Sequence, residues 1–494
     1  MTEQTSADSL RPTATAGSLG YLSRLAGLPE WLRSALFLQS SAGRPGWRKI
    51  LIAVAFVIAG AAVSLARTAG PGALNTIWIE DAGNFLQDAL HQSVMTALTT
   101  QMNGYYDFVP RTITAIAATF PLTWAPGIMA AGAALEYAMY GLVAYIASGP
   151  HLRSPWLRLL IAAPACLIPF GYTQVNNDLA TVQFVGLYGI FWLLLWRPVT
   201  LGGRLVAPVI MLCTTLSSIL PVLLAPLVAA RLIAGRSKTS IAVAVCWGAG
   251  LLTQWTIQWR GMSNRSNTLF TNPVWILGNY FTRVVPRALF GELALGGPGT
   301  NGEGHPLPLS ISNMTIHNAL VVVACAIVVA VVVVALARLT APNWPLAITA
   351  MAFSVLVFIG EIVDNLQVVQ PRYVIAPALL LYTAIVAMLR PRGVTGGEFS
   401  ASEPEGGLGG DAPVNAARRG PWPVVAAAWT PVTVFALLLA VVVGFNFRVI
   451  NNRSESPPWT AVIATATQTC MKPGMGDYVY RHAWWRLNIP CSRV

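Results

Sequence analysis

Two adjacent carboxylates, Glu80 and Asp81, stand in a short acidic segment that follows the first long apolar run of the chain. Read as a helix, residues 78–91 predict an apolar face opposite a polar face, and the polar face carries Asp81, Asn84, Asp88 and His91. A carboxylate held at a membrane surface can act as a general base or bind a metal ion. The alternative is an ordinary solvated face of a helix that lies along the membrane.

Two arginines are candidates for binding a phosphate group, because a guanidinium stays charged and donates two hydrogen bonds in parallel. Arg111 and Arg372 both fall at boundaries of apolar segments. Arg372 is the stronger candidate, since several acidic and amide side chains precede it, namely Glu361, Asp364, Gln367 and Gln370. Snorkelling towards lipid headgroups is the alternative for both arginines.

Two further acidic residues occupy unusual positions. Asp178 closes the run Asn176-Asn177-Asp178 and could contribute to the same site, although a plain turn between two helices also explains it. Glu136 is the one acid well inside an apolar run. Intramembrane acids are costly and often functional, but Glu136 has no partner that the sequence identifies.

The composition predicts that a membrane is the main solvent for this chain. Hydrophobic residues make up 55% and charged residues only 10%, and the mean hydropathy is +0.59. Soluble domains carry about 25% charged residues. The net charge of +12 comes from basic residues scattered at the ends of apolar runs. That placement suits lipid headgroups and argues against a nucleic-acid partner, which would favour a basic stripe.

The expected fold is an all-α polytopic membrane protein with about eleven transmembrane helices, its N-terminus in the cytoplasm and its C-terminus outside. The apolar runs lie at about 50–66, 122–148, 157–172, 180–196, 205–217, 219–234, 240–259, 316–338, 344–360, 373–389 and 422–444. With this topology the basic residues of the short loops fall on the cytoplasmic side of the plasma membrane. The pair at 205–234 is short and interrupted by Pro221, so it spans twice or is re-entrant, and either choice keeps the parity.

The chain divides accordingly. Residues 1–48 form a cytoplasmic segment with an amphipathic helix at 21–38, and residues 49–392 form a transmembrane domain. The substantial polar loops of this domain, 67–121 and 260–315, lie outside. Residues 393–420 are expected to be a disordered cytoplasmic linker, 421–444 the last transmembrane helix and 445–494 an extracytoplasmic tail. Polar loops gathered on one side favour an enzyme that acts at that face.

Cysteines separate into two groups. Cys166, Cys213, Cys246 and Cys325 lie inside apolar runs, where a thiol packs as a small hydrophobe. Cys470 and Cys491 lie in the polar tail. In an oxidising compartment such a pair can form a disulfide, which we expect here.

The acidic pair after the first transmembrane run, the many-helix layout and the outer tail together resemble the GT-C superfamily of polytopic glycosyltransferases. The resemblance implies a sugar donor on a polyprenyl phosphate and a cell-envelope acceptor. It also implies that Asp81 or Glu80 is the catalytic base. Arg372, Arg111 and Asp178 would then be substrate-binding residues. A divalent metal is compatible with this chemistry, and the sequence identifies no ligand set for one.

Other functions stay open. A transporter or lipid flippase is the main alternative, and the broken pair 205–234 together with Glu136 favours it. An inactive envelope scaffold is a third possibility. No Walker loop, dinucleotide fingerprint, Gly-x-Ser-x-Gly or His-Glu-x-x-His motif is present, so ATP and nicotinamide chemistry are not indicated. The sequence specifies neither the sugar and acceptor nor the oligomeric state.

Overall fold

The computed structural model describes residues 27–39, 46–102, 104–171, 177–260, 272–292, 316–363, 369–392, 422–451, 453–482 and 485–494. The predicted linker at 393–420 lies outside these residues, as do Asn176, Asp364, Gln367 and the beginning of the predicted amphipathic helix.

Helices dominate the described residues. The first nine are α1 (27–35), α2 (Trp47–Ala66), α3 (Gln87–His91), α4 (Val94–Thr99), α5 (Phe108–Ala118), α6 (Ala125–Ala147), α7 (Gly149–Leu152), α8 (Pro155–Ala162) and α9 (Val182–Leu195). The next ten are α10 (Leu201–Ser217), α11 (Ala225–Ala234), α12 (Lys238–Trp259), α13 (Pro273–Asn279), α14 (Val285–Phe290), α15 (Ile316–Leu336), α16 (Trp344–Val363), α17 (Ile375–Met388), α18 (Trp422–Phe445) and α19 (Trp459–Cys470). Two strands, β1 (Asp477–His482) and β2 (Trp485–Pro490), complete the fold.

Seven helices among the described residues are long and apolar enough to cross a membrane. They cover Trp47–Ala66, Leu122–Ala147, Lys238–Ile257, Asn318–Leu336, Trp344–Val363, Pro371–Met388 and Ala428–Phe445. Four shorter apolar helices cover Phe108–Ala118, Leu179–Leu195, Leu201–Ser217 and Leu220–Ala234. The all-α, membrane-type character expected from the composition is therefore confirmed, apart from the small β-hairpin.

The apolar run at 157–172 forms a shorter helix than the sequence predicts. Helix α8 ends at Ala162 and one 3₁₀ turn follows, at Ala163–Ala165. Pro164 and Pro169 lie where the helix would continue, and each lacks the backbone N–H that a helix interior needs.

Helices α9 and α17 form the centre of the bundle, since nearly all of their side chains are buried. Glycines let the helices around them approach closely. A Cβ at Gly189 of α9 would lie 2.1 Å from the Tyr140 ring of α6, and one at Gly250 of α12 would lie 2.0 Å from the Thr215 hydroxyl of α10. Small residues at helix contacts are typical of membrane bundles.

Loops whose basic residues the sequence assigns to the cytoplasm meet at one end of the bundle, here called the Arg390 end. Arg390 donates to the carbonyl oxygens of Ala341 and His151 at 2.8 and 3.3 Å. The His151 ring stacks edge-on against Trp192 near the end of α9, with 6.2 Å between centroids.

Helix α1 also packs at the Arg390 end. Arg33 donates to the Ala234 carbonyl at 2.9 Å, and Arg197 donates to the Phe37 carbonyl at 3.2 Å. Leu32 is buried, whereas Trp31 is exposed. Leu36 is buried as well, whereas Leu28 is 36% exposed, so α1 packs only part of its apolar side against the bundle.

The two segments expected to be polar outer loops are partly helical and packed into the bundle. Helix α5 lies within 67–121, and the amide of Val109 donates to the Ser217 hydroxyl of α10 at 3.0 Å. Residues 273–290 pack between long helices, because the Tyr280 hydroxyl lies 2.8 Å from that of Ser354 in α16. Both segments carry more apolar side chains than a solvated loop does. The expectation that they are simply polar loops did not take these side chains into account.

The interrupted pair at 205–234 is two short helical stretches joined at Ser218. The Ser218 hydroxyl accepts the amide of Leu220, and Pro221 begins the next turn. Helix α10 packs along α12, and the Gln254 amide of α12 donates to the carbonyls of Thr215 and Leu216. The pair therefore belongs to the packed bundle.

The C-terminal tail folds as α19 followed by the β1–β2 hairpin. The strands are antiparallel, with Asp477 opposite Pro490 and His482 opposite Trp485. The Cys470–Cys491 disulfide joins the end of α19 to the end of β2. This hairpin is the one departure from an all-α fold among the described residues.

Candidate functional site

The acidic segment is helical over residues 79–91 and contains a π-helical stretch at Asp81–Leu86. It lies beneath the tail hairpin, because the Gln87 side chain accepts the amide of Asn488 at 2.7 Å. A Cβ at Gly83 would lie 3.2 Å from the Trp485 ring. Single π turns within α-helices often occur at functional sites. Here the turn lies directly after Glu80.

Asp81 is buried, with 1% of its surface exposed. Its two carboxylate oxygens accept the backbone amides of Leu179 and Ala180, at 3.0 and 3.1 Å. The side chain therefore joins the acidic segment to the turn that begins α9. This is a correction to the reading of Asp81 as part of a solvated face.

Asp178 precedes that turn and faces Asp81. Its Oδ1 accepts the Ala180 amide at 3.0 Å, which makes it the N-cap of the 3₁₀ turn Leu179–Thr181. Asp81 Oδ1 accepts the same Ala180 amide, so the two carboxyl groups lie side by side. Burial raises the pKa of Asp81, while burial and the charge of Asp81 raise the pKa of Asp178 well above its ordinary value.

Arg453, just after the last long helix, completes this cluster. Its guanidinium is 3% exposed and donates to the Asn177 carbonyl at 2.6 Å, to the Ala73 carbonyl at 3.2 Å and to both oxygens of Thr76. Burial lowers the pKa of Arg453, and the charges of Asp81 and Asp178 oppose that effect. The tail, the 67–121 segment and the Asn177 turn therefore meet at one buried guanidinium.

Glu80 and Arg372 form an ion pair beside the aspartates. The guanidinium of Arg372 lies 3.1 Å from one Glu80 oxygen and 3.3 Å from the other. The side chains keep 25% and 17% of their surface exposed, so this pair is the accessible part of the site. Arg372 lies in the turn Pro371–Val374 that leads into α17, and its charge acts on the buried carboxyl of Glu361 in α16.

The structure thus brings together four of the residues that the sequence singled out. Glu80 pairs with Arg372, Asp81 contacts Asp178, and the charge of Glu80 also acts on Asp178. We call this set, with Arg453, the carboxylate cluster, and the part of the bundle around it the Glu80 end.

No family of known proteins matches this chain. A search among curated proteins likewise finds no significant match. The carboxylate cluster must therefore be interpreted from its own geometry.

Arg111 has a different set of contacts. It forms an ion pair with Asp88 at 2.8 Å, donates to the Ala97 carbonyl at 2.9 Å and lies over the Phe85 ring. Its side chain is 2% exposed. These contacts fasten α5 to the acidic segment, and they leave little of the guanidinium accessible to a substrate.

Two members of the network could not be identified individually from the sequence. Asn177 is part of the run Asn176-Asn177-Asp178, and Arg453 follows the last apolar run together with Arg448, so its only sequence signal is a charge close to a helix end. Asn177 adopts a left-handed backbone (φ 56°) and bonds Ser64 at the end of α2 through both side-chain atoms. Asparagine tolerates this conformation well, which is the only local clue.

No group of three or more His, Cys, Asp or Glu side chains in the described part of the chain is arranged to hold a metal ion. The cluster's carboxyls are instead held by amides, guanidinium groups and one another.

Proposed function

We propose that this chain is a membrane glycosyltransferase of GT-C type. In this proposal it transfers a sugar from a polyprenyl-phosphate donor to a cell-envelope acceptor at the outer face of the plasma membrane. The observation that carries the proposal is the partly exposed Glu80–Arg372 ion pair, held against a buried aspartate pair. A carboxylate and a guanidinium side by side supply the two charges that the reaction needs.

Glu80 is proposed as the general base. It retains an accessible surface, whereas both oxygens of Asp81 already accept backbone amides. In the reaction Glu80 takes the proton from the acceptor hydroxyl, and the oxygen attacks the anomeric carbon of the donor sugar. The bond from that carbon to the phosphate oxygen breaks, and the polyprenyl phosphate leaves with the bonding electrons.

Arg372 is proposed to stabilise the leaving phosphate. A guanidinium binds phosphate oxygens through parallel hydrogen bonds, and its contribution grows as negative charge develops on the leaving group. Arg372 stands at the beginning of α17, so a long lipid tail would extend alongside the bundle. Asp178 and Arg111 keep supporting roles, since both are almost fully buried.

The proposed topology has eleven crossings, with the Arg390 end in the cytoplasm and the Glu80 end outside. Seven long apolar helices and three of the shorter ones, Leu179–Leu195, Leu201–Ser217 and Leu220–Ala234, match ten of the expected runs, and the grouping of basic loops at the Arg390 end supports the orientation. A reagent that does not cross membranes should label a cysteine placed at Glu455 and not one placed at Glu405. The reverse labelling pattern would invert the topology.

The activity test uses the full chain in membranes with labelled polyprenyl-phosphate sugars. Glu80→Gln should lower transfer by about 10²- to 10⁴-fold, the usual loss for a general base. Asp477→Asn, which removes an exposed carboxylate of the tail, is the matched control and should keep full activity. Full transfer by the Glu80→Gln, Asp81→Asn double variant would contradict the proposed mechanism.

A transporter or lipid flippase is the second candidate, and Glu136 is the observation that favours it. One oxygen of this carboxyl is buried within α6 without a hydrogen-bond partner among the described residues. Intramembrane carboxyls often carry protons in transporters. Lipid translocation in vesicles that is lost with Glu136→Gln and kept with Glu80→Gln would favour this candidate over the transferase.

A further inference from the structure

Asp81 Oδ1 and Asp178 Oδ1 accept the same backbone amide, that of Ala180, at 3.1 and 3.0 Å, so the two buried carboxyls lie side by side. Two carboxylates only accept hydrogen bonds, so they can bond each other only when one carries hydrogen. Both residues are 1% exposed, so neither carboxyl is open to bulk solvent. Two like charges at such a distance in a buried site are not both retained.

The charges around the pair lead to the same conclusion. Three carboxyls, those of Glu80, Asp81 and Asp178, stand beside two guanidinium groups, those of Arg372 and Arg453. From α6 the neutral Tyr137 hydroxyl faces the pair, 3.5 Å from the Thr181 hydroxyl. The buried Glu361 carboxyl adds another acid behind Arg372. Acids outnumber cations, which favours a neutral carboxyl in the buried pair.

Backbone contacts decide which aspartate carries the proton. Asp81 accepts one amide on each oxygen, and hydrogen bonds of this kind favour the ionised form. Asp178 accepts one amide on Oδ1, while its Oδ2 is buried and accepts none from the described residues. Oδ2 of Asp178 is therefore the atom free to carry hydrogen.

We propose that Asp178 is a positioning residue that keeps its proton at neutral pH and donates it, as a hydrogen bond, to Asp81. The bond fixes the acidic segment against the beginning of α9, and so fixes Glu80, the residue that precedes Asp81. When the proton leaves for solvent, two facing carboxylates remain and the junction loosens. This inference does not rest on the proposed transferase activity, because its readouts are a spectrum and a stability profile.

The decisive variants replace each aspartate of the pair by asparagine. In Asp178→Asn the side-chain N–H₂ replaces the O–H donor, and the amide oxygen still accepts from Ala180. In Asp81→Asn a single side-chain oxygen is left to accept the backbone amides of Leu179 and Ala180, and the new N–H₂ group faces an N–H donor. We therefore expect Asp178→Asn to melt within a few degrees of the wild type at neutral pH. Asp81→Asn should melt well below it.

The spectroscopic readout is the infrared band of a protonated carboxyl in the purified full chain at neutral pH. We expect Asp178→Asn to remove part of this band. Asp477→Asn is the control, since it removes an exposed carboxylate of the tail. An unchanged band in Asp178→Asn would overturn the assignment of the proton.

The pH profile gives an independent readout. A carboxyl whose folded pKa is raised stabilises the fold fully below its unfolded pKa, and that contribution is lost as pH rises through the folded pKa. The wild type should therefore lose melting temperature towards alkaline pH, and Asp178→Asn should lose less. Asp477→Asn, at an exposed position of the tail, is the control for this slope. Equal alkaline loss in the wild type and Asp178→Asn, or a more stable Asp81→Asn than Asp178→Asn, would sink the proposal.

Discussion

The two ends of the bundle use arginine in different ways. At the Arg390 end, Arg33, Arg197, Arg231 and Arg390 donate to backbone carbonyls, and Glu30 is the only acidic residue described there. At the Glu80 end, Arg67 and Arg453 also donate to backbone carbonyls, but three further arginines pair with carboxylates, in the pairs Arg372–Glu80, Arg111–Asp88 and Arg287–Glu292.

This contrast separates a structural role of arginine from an electrostatic one. A guanidinium that caps carbonyls stabilises a helix end and keeps its net positive charge, which suits a surface of anionic lipid headgroups. A guanidinium paired with a carboxylate balances charge and fixes the position of both groups. Opposite charges fixed in a partly buried position are typical of functional sites.

The largest effect is expected from Arg453→Ala at the Glu80 end. Removing a buried cation beside two carboxyls should cost about 3–5 kcal/mol, because the oxygens it serves lose their donor and the acidic charge loses its counterion. Thermal unfolding in detergent measures this. Arg481→Ala, an exposed position of the hairpin, is the control. If the two variants were equally stable, Arg453 would not stabilise the carboxylate cluster.

The second-largest effect on stability is expected from removal of the disulfide, and it should be confined to the Glu80 end. Cys470 and Cys491 are separated by 21 positions, and closing a loop of this length contributes about 3 kcal/mol by the chain-entropy model. The Cys470→Ala, Cys491→Ala double variant should expose the tail to protease. Cleavage within the Arg390 end instead would show that the two ends are not independent.

A pH test addresses the Arg390 end. Burial, with the charge of Arg390, lowers the pKa of His151 from about 6.5 to about 4. A lowered pKa means that stability is complete above about pH 6.5 and is lost as pH falls to about 4, by at most about 3 kcal/mol. The direction is opposite to that expected for Asp178. His151→Gln should flatten the acid limb, and His91→Gln should not.

The smallest expected effect is that of a carbonyl-capping arginine. Arg231→Ala should cost about 1–3 kcal/mol, because the carbonyls of Leu193, Leu194 and Trp196 lose a shared donor. The exposed Arg204→Ala should change stability by less than about 0.5 kcal/mol. If Arg231→Ala destabilised the chain as much as Arg453→Ala, the distinction between the ends would fail.

Much of the helical framework could be predicted from the sequence, because a long apolar run with charged ends can adopt few structures in a membrane other than a helix. Helix α5 and residues 273–290 were missed because they are short and carry polar residues, among them the buried Arg111. Their burial depends on partners such as Ser217 and Ser354, which lie far away in the chain.

The candidate site could be predicted only as a list of residues. Glu80, Asp81, Asp178 and Arg372 were singled out by charge at apolar boundaries, and the structure brings them together. The sequence did not distinguish the exposed Glu80 from the buried Asp81, since the difference arises from the Leu179 and Ala180 amides. Tertiary amide donors of this kind leave no local pattern.

The position of Arg453 has a consequence for biosynthesis. This residue bonds the carbonyl of Ala73, 380 positions earlier, and it follows the last long helix. During translation the acidic segment emerges early and must wait for nearly the whole chain before its cluster can close. A ribosome-bound intermediate that has already inserted α2 to α17 therefore lacks a finished site. Because Arg453 follows the final long helix, the site can form only when synthesis is almost complete.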